Sequence, residues 1–209
     1  MRLWIAVGLL AWAWAPVASA RPAAARLSAP SDPLEELRQT DLSLLAALRR
    51  RVPDWSPEAD LARFRRDAIL AGLLDYERIA EAALGSEWGR LTEGQRRSFL
   101  NRFSALTNRA FVAALTRSNA RIRFESESIS GATARVLTTA TADGSGSGSE
   151  PQIEYRLALK HGRWLVYDVL VDDVSLVDGY RSQLSALMRR GGFDEVMDRM
   201  ARKLDETGP

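Results

Sequence analysis

The segment IEYRLALKHGRWLVYDV, Ile153 to Val169, decides the fold. Ile153, Tyr155, Leu157 and Leu159 recur at every second position, and Trp164, Val166 and Asp168 alternate against Leu165, Tyr167 and Val169. A period of two marks strands. His161-Gly162 between them makes a tight turn. The same period extends upstream, over Arg121–Ser130, where Ile122 and Phe124 share a side, and over Ala132–Ala140. Asp143 to Glu150, a Gly/Ser run between two acids, joins the second and third strands as a flexible hairpin tip. Four strands with short connections predict an antiparallel meander.

Outside this block the period becomes helical. Leu34, Leu37, Leu44, Leu45 and Leu48 predict a helix over Pro33–Arg51. Ser56-Pro57 reads as the N-cap and first residue of a second helix, with Leu61, Phe64, Ala68 and Ile69 on one side. Asp75 can cap a short helix through Ile79 to Leu84, which Gly85 stops. Thr92 and Gln95 form a capping box that opens a long helix to about Thr116. After the strands, Ser175 caps a helix to about Arg190, Gly191-Gly192 interrupts it, and Phe193 to Leu204 is the last helix. Helices, then a sheet, then helices predict an α+β fold with the helices on one sheet face.

The chain has 209 residues, with 29 Lys+Arg against 27 Asp+Glu, one His and no Cys. Without Cys it cannot build thiolate–zinc, iron–sulfur or thiol chemistry. One His leaves no multi-His metal site. The charge balance lacks the basic excess of a nucleic-acid binder. The pI near 9.3 reflects cations that are almost all Arg, the two lysines being Lys160 and Lys203.

Arg2, the apolar run Leu3 to Ala15, Pro16 and the small residues Ala18-Ser19-Ala20 follow the layout of a secretory signal peptide cleaved after Ala20. The run is too short to span a bilayer. Residues 21–31 read as a flexible leader, and residues 32–206 as one domain.

Three pieces of the chain resemble one family. The first is Leu74-Asp75-Tyr76-Glu77-Arg78-Ile79-Ala80, then Ala83-Leu84-Gly85, Trp88, Thr92-Glu93-Gly94-Gln95-Arg96 and Phe99 with Phe103. The second is Tyr155-Arg156-Leu157 with Trp164 to Val169. The third is Val174-Ser175-Leu176-Val177 with Tyr180-Arg181-Ser182-Gln183-Leu184. In order and spacing they are similar to the MlaC family of periplasmic phospholipid-binding proteins, also called the toluene-tolerance auxiliary component. The chain departs from the usual pattern at Phe111, Asp173 and Gly179.

The resemblance implies a soluble periplasmic carrier that performs no chemistry and needs no cofactor, with phospholipid as its cargo. Such a carrier passes lipid between an outer-membrane lipoprotein–porin complex and an inner-membrane ABC transporter, maintaining outer-membrane lipid asymmetry. The job requires a deep apolar cavity between sheet and helices. Candidate lipid-contact residues are Ile122, Phe124, Val136, Ile153, Tyr155, Trp164 and Val166 from strands. Phe103, Leu106, Phe111, Tyr180, Leu184, Leu187, Met188, Phe193 and Met197 are the candidates from helices. The same residues can equally be ordinary core.

Other features have two readings each. Asp168, Asp172, Asp173 and Asp178 suggest a cation site, but their spacing matches no calcium loop, and caps and turns explain them. Arg181 can meet a lipid phosphate or anchor the last helix to the sheet or to Asp168. Arg49-Arg50-Arg51 and Arg63, Arg65 and Arg66 can dock on anionic headgroups or be solvated helix faces. Gly191-Gly192 can be a hinge or a plain helix break. Two alternative functions stand beside the carrier: a small-molecule enzyme using His161 or the carboxylates, and an envelope adaptor with a dry core.

Overall fold

The computed structural model describes residues 32–49, 57–118, 120–142 and 150–206. The expected signal peptide, leader, Ser56 cap, Arg50–Arg51 and residues 143–149 of the hairpin tip lie outside the described residues. Five helices are described: α1 (Pro33–Arg49), α2 (Pro57–Leu73), α3 (Tyr76–Leu84), α4 (Glu93–Ser118) and α5 (Leu176–Glu206). A 3₁₀ turn, Gly85–Arg90, links α3 to α4.

Local chemistry sets these boundaries. The Asp75 carboxylate accepts the Arg78 N–H at 3.2 Å and so caps α3. Gly85 ends it at φ 58°, donating its N–H to the Glu81 carbonyl, a left-handed stop that Gly adopts without penalty. At the start of α4, Gln95 N–H donates to the Thr92 hydroxyl at 3.2 Å, and Thr92 N–H donates to the Gln95 side chain at 2.9 Å. That is the reciprocal capping box. Inside α5, Gly191 and Gly192 leave helical geometry, with Gly192 at φ 67°, ψ −158°.

The sheet has five strands rather than four: β1 (Ala120–Ser130), β2 (Thr133–Ala142), β3 (Gln152–Lys160), β4 (Arg163–Val171) and β5 (Val174–Ser175). They form an antiparallel meander in sequence order. The fifth strand has two residues, too few to display an alternating pattern. Asp172 and Asp173, at φ 48° and 65°, make the turn into it. His161 and Gly162, at φ 53° and 80°, make the β3–β4 turn. Positive φ at both central residues is the type I′ hairpin signature.

The register corrects the expected alternation in β4. Leu157 opposes Val166, whereas Arg156 opposes Asp168, so β4 carries a bulge. Opposed residues share a face. Trp164 and Val166 therefore face inward with Leu159 and Leu157, and beyond the bulge Val169 and Val171 face inward with Tyr155 and Ile153. Asp168 and Leu170 turn to the opposite face, beside Arg156 and Glu154.

The core forms where the helices meet the inward face. Leu70, Phe99, Val136, Leu157, Val166 and Val196 are fully buried there. Phe103 stacks on Phe99 with ring centroids 5.3 Å apart, and Tyr180 meets Phe103 edge-on at 5.4 Å. These rings tie α4 to α5. The segment of α5 after Gly192 is also held to α4, since Arg102 donates to the Met197 carbonyl at 2.9 Å and Arg109 to that of Leu204.

Candidate functional site

Burial along the inward sheet face is graded. Near the β3–β4 turn, Leu157, Trp164 and Val166 are sealed under the helices, and Ala134 and Val136 of β2 join them. Toward the other end Tyr155, Val169 and Ile153 are only half-buried, and Val171 is exposed. On β1, Ile122 and Phe124 are half-buried too, with the Arg38 guanidinium 5.2 Å from the Phe124 ring centroid.

The sixteen expected lipid-contact residues divide accordingly. Phe103, Val136, Trp164, Val166 and Leu184 lie inside the sealed core. Leu106, Phe111, Phe124, Tyr155, Tyr180, Leu187, Met188, Phe193 and Met197 are half-buried and pack against it. Ile122 and Ile153 are half-buried but stand outside that cluster. Val112 and Val169 belong with the half-buried group and were missed in the sequence. Val169 escaped because strict alternation assigns it to the face opposite Val166, and only the bulge returns it.

Polar groups around the helices are bonded to one another. Tyr76 donates its hydroxyl to the Asn108 side-chain oxygen, and Asn108 donates to Asp67 at 3.2 Å, linking α3, α4 and α2. Burial pushes the Tyr76 phenol up, against the opposing pull of Asn108. Burial also pushes the Tyr180 phenol up, against that of Thr107. Both phenols stay neutral.

The carboxylates expected as caps and turns are found there. Asp168 accepts from the Ser175 hydroxyl and the Val177 N–H, and Asp172 accepts the Gln152 N–H at 3.0 Å. Arg181 reaches neither Asp168 nor the sheet. It donates to the Ala82 carbonyl at 2.9 Å and pairs with Asp178 at 3.1 Å, anchoring α5 to α3. The partner of Asp168 is instead Arg156, 3.7 Å away. His161 is exposed in its turn.

An open groove of about 700 Å³ lies elsewhere, between α1, α2 and the start of β4. Charged and polar residues line it, among them Asp32, Glu35, Glu36, Gln39 and Arg163, together with Ala68, Ile69 and Gly72. None of the sixteen expected residues lines it. Its side chains bond locally, Gln39 donating to Glu35 at 2.7 Å and the Trp164 N–H to Glu36 at 3.2 Å.

An antiparallel sheet is thus covered on one face by helices, with its apolar interior sealed at one end and thinning toward the other. The family model of the MlaC protein matches residues 44–202, and the chain belongs to the MlaC family. Among solved structures it is similar to a phospholipid-binding protein from Ralstonia solanacearum determined in complex with a phospholipid. The two superpose with a TM-score of 0.68 at 18% identity, covering 85% of this chain and 99% of the other. No curated protein matches the chain. Among the described residues no helix is long and apolar enough to cross a membrane.

Proposed function

We propose that the protein is a soluble phospholipid carrier of the periplasm. The observation that carries this reading, beside family membership, is the half-buried apolar collar. Tyr155 and Val169 on the sheet face the same side as the sealed core, and Phe111, Leu187, Met188 and Met197 lie on the helices. Acyl chains enter by parting these residues, and the sealed core beneath keeps the fold intact. Met side chains adapt to chains of different length.

The energetics fit a carrier rather than a trap. Two acyl chains bring on the order of 30 methylenes, each favouring burial by about 0.8 kcal/mol. A bilayer hides them equally well, so exchange is balanced when the collar covers them as fully. The lipid leaves unchanged, and no catalytic group is required. By the family resemblance the carrier is exported with cleavage after Ala20. It exchanges lipid with an outer-membrane lipoprotein–porin complex and an inner-membrane ABC transporter, maintaining outer-membrane lipid asymmetry.

Transfer is testable directly. Donor vesicles with radiolabelled phosphatidylethanolamine and unlabelled acceptor vesicles are separated by a filter that passes the protein but no vesicle. Label should reach the acceptors only when the protein is present. Equal counts with and without it would refute carriage.

A further inference from the structure

Four large hydrophobic residues stand exposed among the described residues, and three of them sit together. Val171 is 36% exposed, Val174 67% and Leu176 45%; the fourth, Ile129, is 55% exposed near the other end of the sheet. The three belong to the β4–β5 hairpin and the first residue of α5. An exposed apolar group of this kind on an otherwise polar surface marks a contact.

The register shows what it is continuous with. Thr138 opposes Ile153, Ile153 opposes Val171, and Val171 opposes Val174. The four lie in one row across β2, β3, β4 and β5, about 14 Å wide at the usual strand spacing. Opposed residues share a face, and this is the inward face of Tyr155 and Val169. Burial falls along the row from Thr138, which has no exposure, to Val174 at two-thirds. The inward face thus runs out to the surface at the β4–β5 hairpin; it does so at the far edge too, where Ile129 opposes Ala134, but there as a single side chain.

The chemistry of this edge fits a hydrocarbon chain better than a macromolecular surface. It is wholly aliphatic, without the Trp, Tyr and Arg that anchor protein interfaces. It also lacks the Trp, Tyr, Lys and Arg of a membrane-binding surface. The turn beside it is acidic, and Asp172 is fixed there by the Gln152 N–H. Carboxylates at that point repel a phosphate and turn the lipid headgroup away from the hairpin.

We infer that Val171, Val174 and Leu176 form the sill over which the acyl chains of a phospholipid enter and leave the collar. The inference rests on the carrier reading and adds the place of passage. The protein has no cysteine, so a single introduced one reports alone. A bimane label is placed at V174C and, as a control, at I129C. Each protein is loaded with doxyl-phosphatidylcholine, and bound lipid is quantified by organic extraction.

At equal loading, V174C fluorescence should be quenched at least twofold and I129C fluorescence unchanged. V174D should take up the lipid from phosphatidylcholine vesicles at least about tenfold more slowly than wild type. Unquenched V174C on a fully loaded protein, or equal quenching at both positions, overturns the sill and leaves the carrier intact. Wild-type uptake by V174D also overturns it; transfer lost only to a protein acceptor would then make this edge a docking surface. Failure of the wild type to load at all overturns both readings.

Discussion

The Asp168 carboxylate accepts the Ser175 hydroxyl through both oxygens, at 3.0 and 2.9 Å. It also takes the Val177 N–H at 3.3 Å, while Ser175 accepts the Asp178 N–H at 3.1 Å. Two caps in series thus fasten the start of α5 to the bulge of β4. Asp168→Ala leaves a half-buried hydroxyl and a buried N–H without their acceptor, which costs about 1–3 kcal/mol. A urea unfolding midpoint lowered accordingly is expected; an unchanged midpoint would show that the knot contributes nothing.

Gly191 and Gly192 are both required by the break in α5. A Cβ on Gly191 would stand 2.7 Å from the Glu195 Cβ, and Gly192 occupies a region open to little but glycine. Gly192→Ala should cost about 1–3 kcal/mol. Gly179, helical and with open space around it, should accept Ala with little change or a small gain. Thermal unfolding of the two variants side by side checks the contrast.

Glu127 of β1 accepts the Leu34 N–H at 3.1 Å and thereby receives the N-terminus of α1. Desolvation and the neighbouring Asp32 carboxylate raise its pKa. A raised carboxyl favours the folded state at low pH, and that contribution is lost as pH rises through the folded value. Glu127→Gln keeps an acceptor and removes the charge. It should be more stable than wild type at pH 7, with the difference shrinking as the pH falls below the ordinary Glu range of about 4.3. A difference that is constant with pH would contradict this.

Met188 is half-buried in the collar. Met188→Glu puts a carboxylate where acyl methylenes would lie, a penalty well above the ~1.4 kcal/mol of one decade in affinity. Bound phospholipid should fall at least about tenfold with the far-UV circular dichroism unchanged. Full lipid occupancy in the variant would remove Met188 from the site.

Features written in neighbouring residues were legible in the sequence. The Thr92–Gln95 box, the Asp75 cap, the Gly85 stop, the His161-Gly162 turn and the Gly191-Gly192 break each depend on a few adjacent positions. Features set by pairing were not. The β4 bulge exists because of how β3 lies against β4, so alternation misassigned Asp168 and Val169. Arg181 found the Ala82 carbonyl because α3 happens to end within its reach. Which residues are apolar was plain for the site. Which are sealed, as Trp164 is, and which are half-open, as Met188 is, depends on where the helices stop covering the sheet. Val171 and Val174 looked like ordinary strand residues until the fifth strand placed them opposite one another, with Leu176 following at the start of α5.

The central claim is that the collar holds a phospholipid. Protein purified without detergent from its native envelope, extracted with organic solvent and examined by mass spectrometry, tests it most directly. The expected result is phospholipid bound at or near one molecule per protein, reduced by Met188→Glu. Repeated extracts with no phospholipid above a control protein prepared in parallel would contradict it.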